Sequence, residues 1–135
     1  MKRYLNLSIF YAVLAMVFGV FYREFTKWFG FTGDTSLSVM HTHYFVLGTI
    51  FFLLLLVLEK NFSFTDSRTR KVMIVYHVGL NLTSVMFLAR GVLQVLGTEF
   101  SSAVNASISG FAGIGHILLG VGMILILLRV KKAIG

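Results

Sequence analysis

Four long apolar stretches separated by short polar segments dominate the chain. They cover residues of about 4–22, 39–58, 72–96 and 108–130. Each is close to the length of about 20 residues that a helix needs to cross a hydrocarbon core of about 30 Å. The stretches leave only three connections and two short tails. The pattern therefore predicts an all-α integral membrane protein, a single membrane domain over residues 1–135 that folds as an up-and-down four-helix bundle.

The composition excludes a water-soluble monomer and several kinds of site. The chain is 57% hydrophobic and 13% charged, whereas soluble domains are about 45–50% apolar and about 25% charged. It contains no cysteine, which excludes disulfides, thiolate metal sites and iron–sulfur clusters. It also contains no proline, which disfavours the kinked spans of transporters.

The distribution of lysine and arginine predicts the orientation in the membrane. Nine basic residues fall on the side of the two tails and the second connection, and two fall on the other side. The nine are Lys2, Arg3, Lys60, Arg68, Arg70, Lys71, Arg129, Lys131 and Lys132, and the two are Arg23 and Lys27. The positive-inside rule then places both termini in the cytoplasm of a multi-pass protein of the cell membrane. The net charge of +7 is thus explained by topology and anionic lipid rather than by nucleic-acid binding.

Five ionisable side chains lie in or at the edge of the predicted spans. The four histidines of the chain are His41, His43, His77 and His116, and Arg90 lies in the outer half of the third span. Ionisable groups in a span are costly and usually mark functional sites. The alternative is that the histidines only form hydrogen bonds between helices in a cofactor-free partner subunit.

Depth and helical angle favour one histidine pair. His43 and His116 lie closest in depth, and they belong to the second and fourth spans, which are diagonal partners in a bundle. A haem between two such helices could take one axial imidazole from each. His41 and His43 are two residues apart and point to opposite faces, so both cannot bind one metal. His43 is assigned to the core because it lies deeper, and His41 to a neighbouring helix, a second cofactor or another protomer.

Three further features each leave two or more interpretations open. Small residues that share a face with His116 fit either a flat ligand or close helix packing. Arg90 fits either a pairing with a haem propionate or snorkelling to the outer headgroups. His77 fits an iron ligand, a proton-handling group or a second metal ligand. The residues that share the face of His116 are Ser109, Ala112, Gly113, Gly120 and Met123.

The segment from Met40 to Gly48, MHTHYFVLG, resembles the His-x-His signature on a ligand-bearing helix of haem–copper oxidase catalytic subunits, most closely the cbb3-type. In that family the two histidines serve two different haems, which implies that His41 and His43 are metal or haem ligands. The oxidases have many more spans, and no residue set for their copper site is found here. The whole chain also resembles an uncharacterised bacterial family of small four-span proteins.

The leading functional hypothesis is a protein that binds haem b and serves electron transfer, haem sensing or haem handling. A redox carrier or binding protein is favoured over an enzyme, since no serine–histidine–acid set occurs and the five acids lie in or beside loops. The alternatives are a copper or zinc protein with imidazole ligands and a cofactor-free partner subunit. The expected partners are the lipid bilayer, a second copy of the chain, and a redox protein or quinone.

Overall fold

The computed structural model describes residues 1–135, and it contains helices but no β-strand. Four helices are each long and apolar enough to cross a membrane, which confirms the expected all-α four-helix membrane architecture. They extend a few residues beyond most ends of the predicted spans, because polar residues at the span ends continue the helices. The helices are α1 Lys2–Trp28, α2 Leu37–Phe62, α3 Ser67–Val95 and α4 Ser102–Ile134.

The bundle is built around α2 and α3. Helix α1 packs along α2, α2 packs on α3, and α4 lies along α3 and also touches α2. Glycines permit the close approach of α3 and α4. A Cβ on Gly79 would overlap the backbone of Leu119, and a Cβ on Gly122 would lie 2.9 Å from the backbone of Tyr76. This close pairing carries His116 of α4 to the same side of the bundle as the outer half of α2.

A π-helical segment, Tyr44–Ile50, interrupts α2 directly after His43. Backbone carbonyls in this segment accept hydrogen bonds from side chains of the neighbouring helices. The hydroxyl of Tyr76 donates to the carbonyl of Leu47 at 2.6 Å, and that of Ser8 donates to the carbonyl of Thr49 at 2.9 Å. Single π-helical turns are frequent at functional sites. The sequence analysis did not anticipate this segment.

Asp66 ties the connection between α2 and α3 to the end of α4. Its carboxylate caps α3 by accepting a hydrogen bond from the backbone N–H of Thr69 at 2.7 Å, and it forms an ion pair with Arg129 of α4. The hydrogen bonds from Thr69, together with the Arg129 guanidinium, lower the pKa of Asp66 to about 2. This contact lies at the end of the bundle that carries both termini, and the charge distribution predicts that this end is cytoplasmic.

Candidate histidine site between α2 and α4

The structure brings together His43 and His116, the two histidines that were expected to lie at similar depth in the membrane. The ring centres of His43 and His116 lie 6.2 Å apart with their planes at 87°. Phe87 of α3 contacts both, with ring centres 4.8 Å from His43 and 5.8 Å from His116. Two imidazoles bound to one metal through nitrogens at about 2.0–2.1 Å, as in zinc sites, have ring centres roughly 6 Å apart. The spacing of this pair fits two ligands on opposite sides of a single metal ion, and it is also the spacing of an ordinary edge-to-face aromatic contact.

Both rings present the same nitrogen for ligation. His43 Nδ1 lies 2.9 Å from the carbonyl of Val39, and His116 Nδ1 lies 2.8 Å from the carbonyl of Ala112. A carbonyl only accepts hydrogen bonds, so each Nδ1 carries the hydrogen and each Nε2 keeps its lone pair. Metal-binding histidines usually hold their second nitrogen in this way, which fixes the tautomer and the ring orientation.

An open groove, and not an enclosed cavity, lies beside His43. A recess of about 280 Å³ is lined by His43 and its neighbours Thr42, Val46 and Leu47. The ring of His116 is exposed. Enclosed pockets for small molecules are typically about 300–1,000 Å³. A larger flat molecule would therefore use the groove and the adjoining surface of α4.

Glycines on α4 divide into two sets with different surroundings. A Cβ on Gly113 or Gly120, which bracket His116, would have no neighbouring atom within 4 Å. By contrast, Gly115 faces Thr83 and Gly122 faces Tyr76, both on α3. Close helix packing within the chain is thus the role of Gly115 and Gly122. The small residues beside His116 leave its face accessible to a flat ligand.

Arg90 is held on the outer side of the histidine pair. It follows Phe87 by three residues and shares its face of α3. Its guanidinium donates a hydrogen bond to the hydroxyl of Ser109 at 2.7 Å, and Ser109 lies two turns before His116 on α4. Because a guanidinium has five N–H donors, this contact leaves donors free for an anion.

The other two histidines lie apart from this pair. His41 faces α1, where its ring stacks on Tyr22 at 6.3 Å and its Nδ1 is buried without a hydrogen-bond partner. His77 Nδ1 lies 2.6 Å from the hydroxyl of Tyr11. His41 and His43 contact different helices, as their spacing predicted. No three residues among His, Cys, Asp and Glu come together at one point.

Tyrosines form a buried polar feature that the sequence analysis missed. Four of the five tyrosines are buried, and each of the four has a hydroxyl that forms a hydrogen bond. The signal that could have revealed them is on α1, where Tyr4, Ser8 and Tyr11 follow each other at helical spacing on one buried face. The hydroxyls of Tyr11 and Tyr44 meet at Asn81.

Comparison with known proteins gives one match. A family model described as "Protein of unknown function (DUF2871)" matches residues 1–133. The chain belongs to the DUF2871 family. No curated protein and no solved structure matches it. The expected kinship with an uncharacterised family is confirmed for this DUF2871 protein, whereas the resemblance of the segment Met40–Gly48 to haem–copper oxidases receives no support and stays a prediction.

Proposed function

We propose that this DUF2871 protein binds one b-type haem in the groove between α2 and α4, with His43 and His116 as the axial ligands. The observation that carries the proposal is the spacing of the two rings, 6.2 Å between centres. The hydrogen bonds from both Nδ1 atoms to helix carbonyls support it, because they leave both Nε2 atoms available to a metal.

Of the functions expected for such a protein, electron transfer is the one that this geometry favours. A haem held by two imidazoles has both axial positions filled, so its iron exchanges electrons and has no open position for a gas. Sensing of a gas would need one of the two histidines to release the iron. Haem handling remains an alternative role for the same ligand pair.

The other residues of the groove have distinct tasks in this proposal. Phe87 contacts both imidazoles and lies beside the space between them, so its side chain would have to turn aside for a macrocycle to enter. Gly113 and Gly120 leave space beside His116. Arg90 lies toward the outer surface, where its free donors would pair with a haem propionate. The propionates would then lie near the outer headgroups and the apolar ring in the hydrocarbon.

Copper or zinc binding is the second candidate. Imidazole is a suitable ligand for either metal. However, a structural zinc site takes four protein ligands and a catalytic one takes three, and the structure gathers no group of three or more candidate ligands. Two histidines are instead the number of axial ligands that a haem iron takes.

The surroundings of the site suggest its partners. Large apolar side chains are exposed along all four helices, as expected of contact with a lipid bilayer, and the cell membrane is the proposed location. The exposed ring of His116 leaves the groove accessible from outside the bundle. A second copy of the chain, a redox protein or a quinone could approach there, and nucleic acid is not an expected partner.

An absorption spectrum combined with metal analysis tests the proposal. The protein is purified from haem-replete cells, and any affinity tag is removed before the measurement. We expect a Soret band that sharpens on reduction and one haem per chain. Colourless protein that takes up no added haemin would overturn haem binding. One copper or zinc per chain in such protein would support the second candidate instead.

Arg90 is expected to strengthen haem binding without being essential for it. A hydrogen bond to a charged group contributes about 1.5–3 kcal/mol, and each 1.4 kcal/mol corresponds to about tenfold in Kd. We therefore expect Arg90→Gln to weaken haem binding roughly 10- to 100-fold in a haemin titration of the apoprotein.

The matched control for this variant is Arg23→Gln. Arg23 is also on the predicted outer side, but its side chain is 82% exposed and belongs to the end of α1. Its replacement should leave the haem affinity unchanged. Equal affinities for the two variants and the unmodified protein would refute the role assigned to Arg90.

A further inference from the structure

Helix α1 is joined to α3 through the hydroxyl of a single side chain, Tyr11. Both hydrogen bonds between these two helices involve that hydroxyl, which lies 2.6 Å from His77 Nδ1 and 3.0 Å from Asn81 Nδ2. The rest of α1 packs mainly along α2, and no backbone hydrogen bond joins α1 to α3. We call Tyr11, His77 and Asn81 the α1–α3 contact. The function proposed above uses none of these residues.

The direction of each hydrogen bond in the α1–α3 contact is fixed by Asn81. Its Nδ2 also donates to the carbonyl of His77 at 2.8 Å, and its Oδ1 accepts from the hydroxyl of Tyr44 at 3.2 Å, so the amide has one orientation. The Tyr11 oxygen therefore accepts from Asn81 Nδ2, and the Tyr11 hydrogen is directed to His77 Nδ1. That nitrogen must then carry the lone pair of a neutral imidazole.

A proton on His77 Nδ1 would disrupt the α1–α3 contact. The protonated nitrogen can only donate a hydrogen bond, so the Tyr11 hydrogen would have to turn away from it. The Tyr11 hydroxyl has no other hydrogen-bond partner than His77 and Asn81, and the rings of Phe10 and Phe52 pack against its side chain. A buried hydroxyl hydrogen without an acceptor is costly. The contact is therefore compatible only with a neutral His77.

No negative charge faces His77. Its ring stacks on Phe52 of α2 at 5.1 Å, and the charged side chain whose field reaches it is Arg3 of α1, which has the same sign as a protonated imidazole. No carboxylate and no titratable group of α4 forms a hydrogen bond, ion pair or ring contact with His77. The titratable groups near it are tyrosines, namely Tyr11 of α1, Tyr44 of α2 and Tyr76 of its own helix.

His77 lies close to the predicted cytoplasmic side of the membrane. It follows Val72, the predicted start of the third span, by five residues, which corresponds to about 7.5 Å along the helix axis. Its side chain is half-buried, and Tyr11 of α1 covers its Nδ1. If α1 moves away, water from the headgroup region reaches this nitrogen. A hydrated histidine takes up a proton at a pH of about 6.5.

We propose that the α1–α3 contact is a pH-dependent switch, in which a proton on His77 releases Tyr11 and allows α1 to separate from α3. The inference does not depend on the proposed haem. The proton comes from water and binds to Nδ1, and no bond between heavy atoms forms or breaks. Only the separated form binds this proton readily, so each pH unit below about 6.5 favours that form by up to about tenfold. Between pH 8 and pH 5 the ratio of separated to joined protein should rise by up to roughly 30-fold.

Because the chain contains no cysteine, two spin labels can test this switch directly. Ile9→Cys on α1 and Ile74→Cys on α3 place the labels at side chains that are 54% and 58% exposed, outside the packed core. The distance between the labels is measured by pulsed electron paramagnetic resonance at about pH 8 and about pH 5, in the full-length protein in phospholipid vesicles. We expect one short distance at pH 8 and a longer, broader distribution at pH 5. The same distribution at both pH values would overturn the inference.

Two variants of the labelled protein test the residues of the switch. His77→Gln should keep the short distance at both pH values, because the glutamine oxygen can accept the Tyr11 hydrogen and does not titrate. Tyr11→Phe should give the longer, broader distribution already at pH 8, since no hydrogen bond then joins α1 to α3. A pH response that survives in His77→Gln would overturn the inference. If that variant fails to fold, Tyr11→Phe decides, and a short distance at pH 8 would contradict the role of the Tyr11 hydroxyl.

His41→Gln and Tyr76→Phe are the matched controls. His41 is the other histidine that contacts α1, through Tyr22, and Tyr76 has a buried hydroxyl that bonds to the carbonyl of Leu47 and not to a histidine. Both variants should respond to pH as the unmodified labelled protein does. Loss of the response in His41→Gln would place the switch between α1 and α2 and overturn the inference. If the α1–α3 contact only held the helices together, its variants would change stability, but the distance would not depend on pH in any of them.

Discussion

Replacement of His116 by alanine is expected to weaken haem binding at least about 100-fold, and His43→Ala is expected to do the same. Even residues that only orient a metal ligand typically cost about 10–100-fold in affinity when mutated, so loss of a ligand itself should reach or exceed the upper end. The measurement is a haemin titration of each purified variant, followed by its Soret absorbance.

His41→Ala is the matched control for His43→Ala. The two histidines are separated by a single residue, yet His41 contacts Tyr22 and Gly19 of α1, whereas His43 contacts His116. His41→Ala should therefore retain haem. Added imidazole should restore part of the binding to His116→Ala, because the ring of His116 is exposed and the space it leaves would be open. Loss of haem in His41→Ala with retention in His43→Ala would refute the ligand assignment.

The second large effect is expected at Gly79, where α3 and α4 approach most closely. A Cβ at this position would overlap the backbone of Leu119, and backbone cannot move away as a flexible side chain can. Overpacking of this kind typically costs about 1–3 kcal/mol. Gly79→Ala should lower the free energy of unfolding by about that amount, measured by denaturation in detergent micelles.

Gly110→Ala provides the control, because Gly110 is on α4 and a Cβ there would have no neighbouring atom within 4 Å. Replacement of glycine by alanine at an unstrained position usually stabilises by about 0.4–1 kcal/mol. We expect this variant to be neutral or slightly more stable. Equal stability of the two variants would show that α3 and α4 are not paired through Gly79.

Much of the fold could be predicted because a membrane imposes a simple rule on sequence. Every backbone polar group in the hydrocarbon must be satisfied, so long apolar stretches become helices. The apolar runs around Phe51–Leu58 and Ile117–Leu128 directly predict two of the four helices. The π-helical turn at Tyr44–Ile50 could not be predicted, and the side chains that bond to its carbonyls, Tyr76 and Ser8, belong to other helices.

The depth of the candidate site in the membrane could be predicted from the sequence, but the contacts around it could not. Residue counting along each span placed His43 and His116 at similar depth, and the structure brings their rings together. Which glycines of α4 pack and which stay open depends on the rotation of α4 against α3. That rotation separates Gly113 from Gly115, although both are small residues in the same run.

The pairing of Tyr11 with His77 was likewise not available from the sequence. The two residues are 66 positions apart, and they meet because Gly48 allows α1 to approach α2. A Cβ on Gly48 would lie 2.5 Å from the Tyr11 side chain. Such a contact requires knowledge of helix tilt and separation, which apolar periodicity does not contain.

The electron paramagnetic resonance spectrum of the ferric, haem-loaded protein tests the central claim most directly. Ligation of one iron by both His43 and His116 predicts a low-spin signal, and the angle of 87° between the rings predicts the strong anisotropy of perpendicular imidazole planes. The signal should become high-spin in His116→Ala. A high-spin signal in the unmodified protein, or a low-spin signal that survives in both alanine variants, would contradict the account.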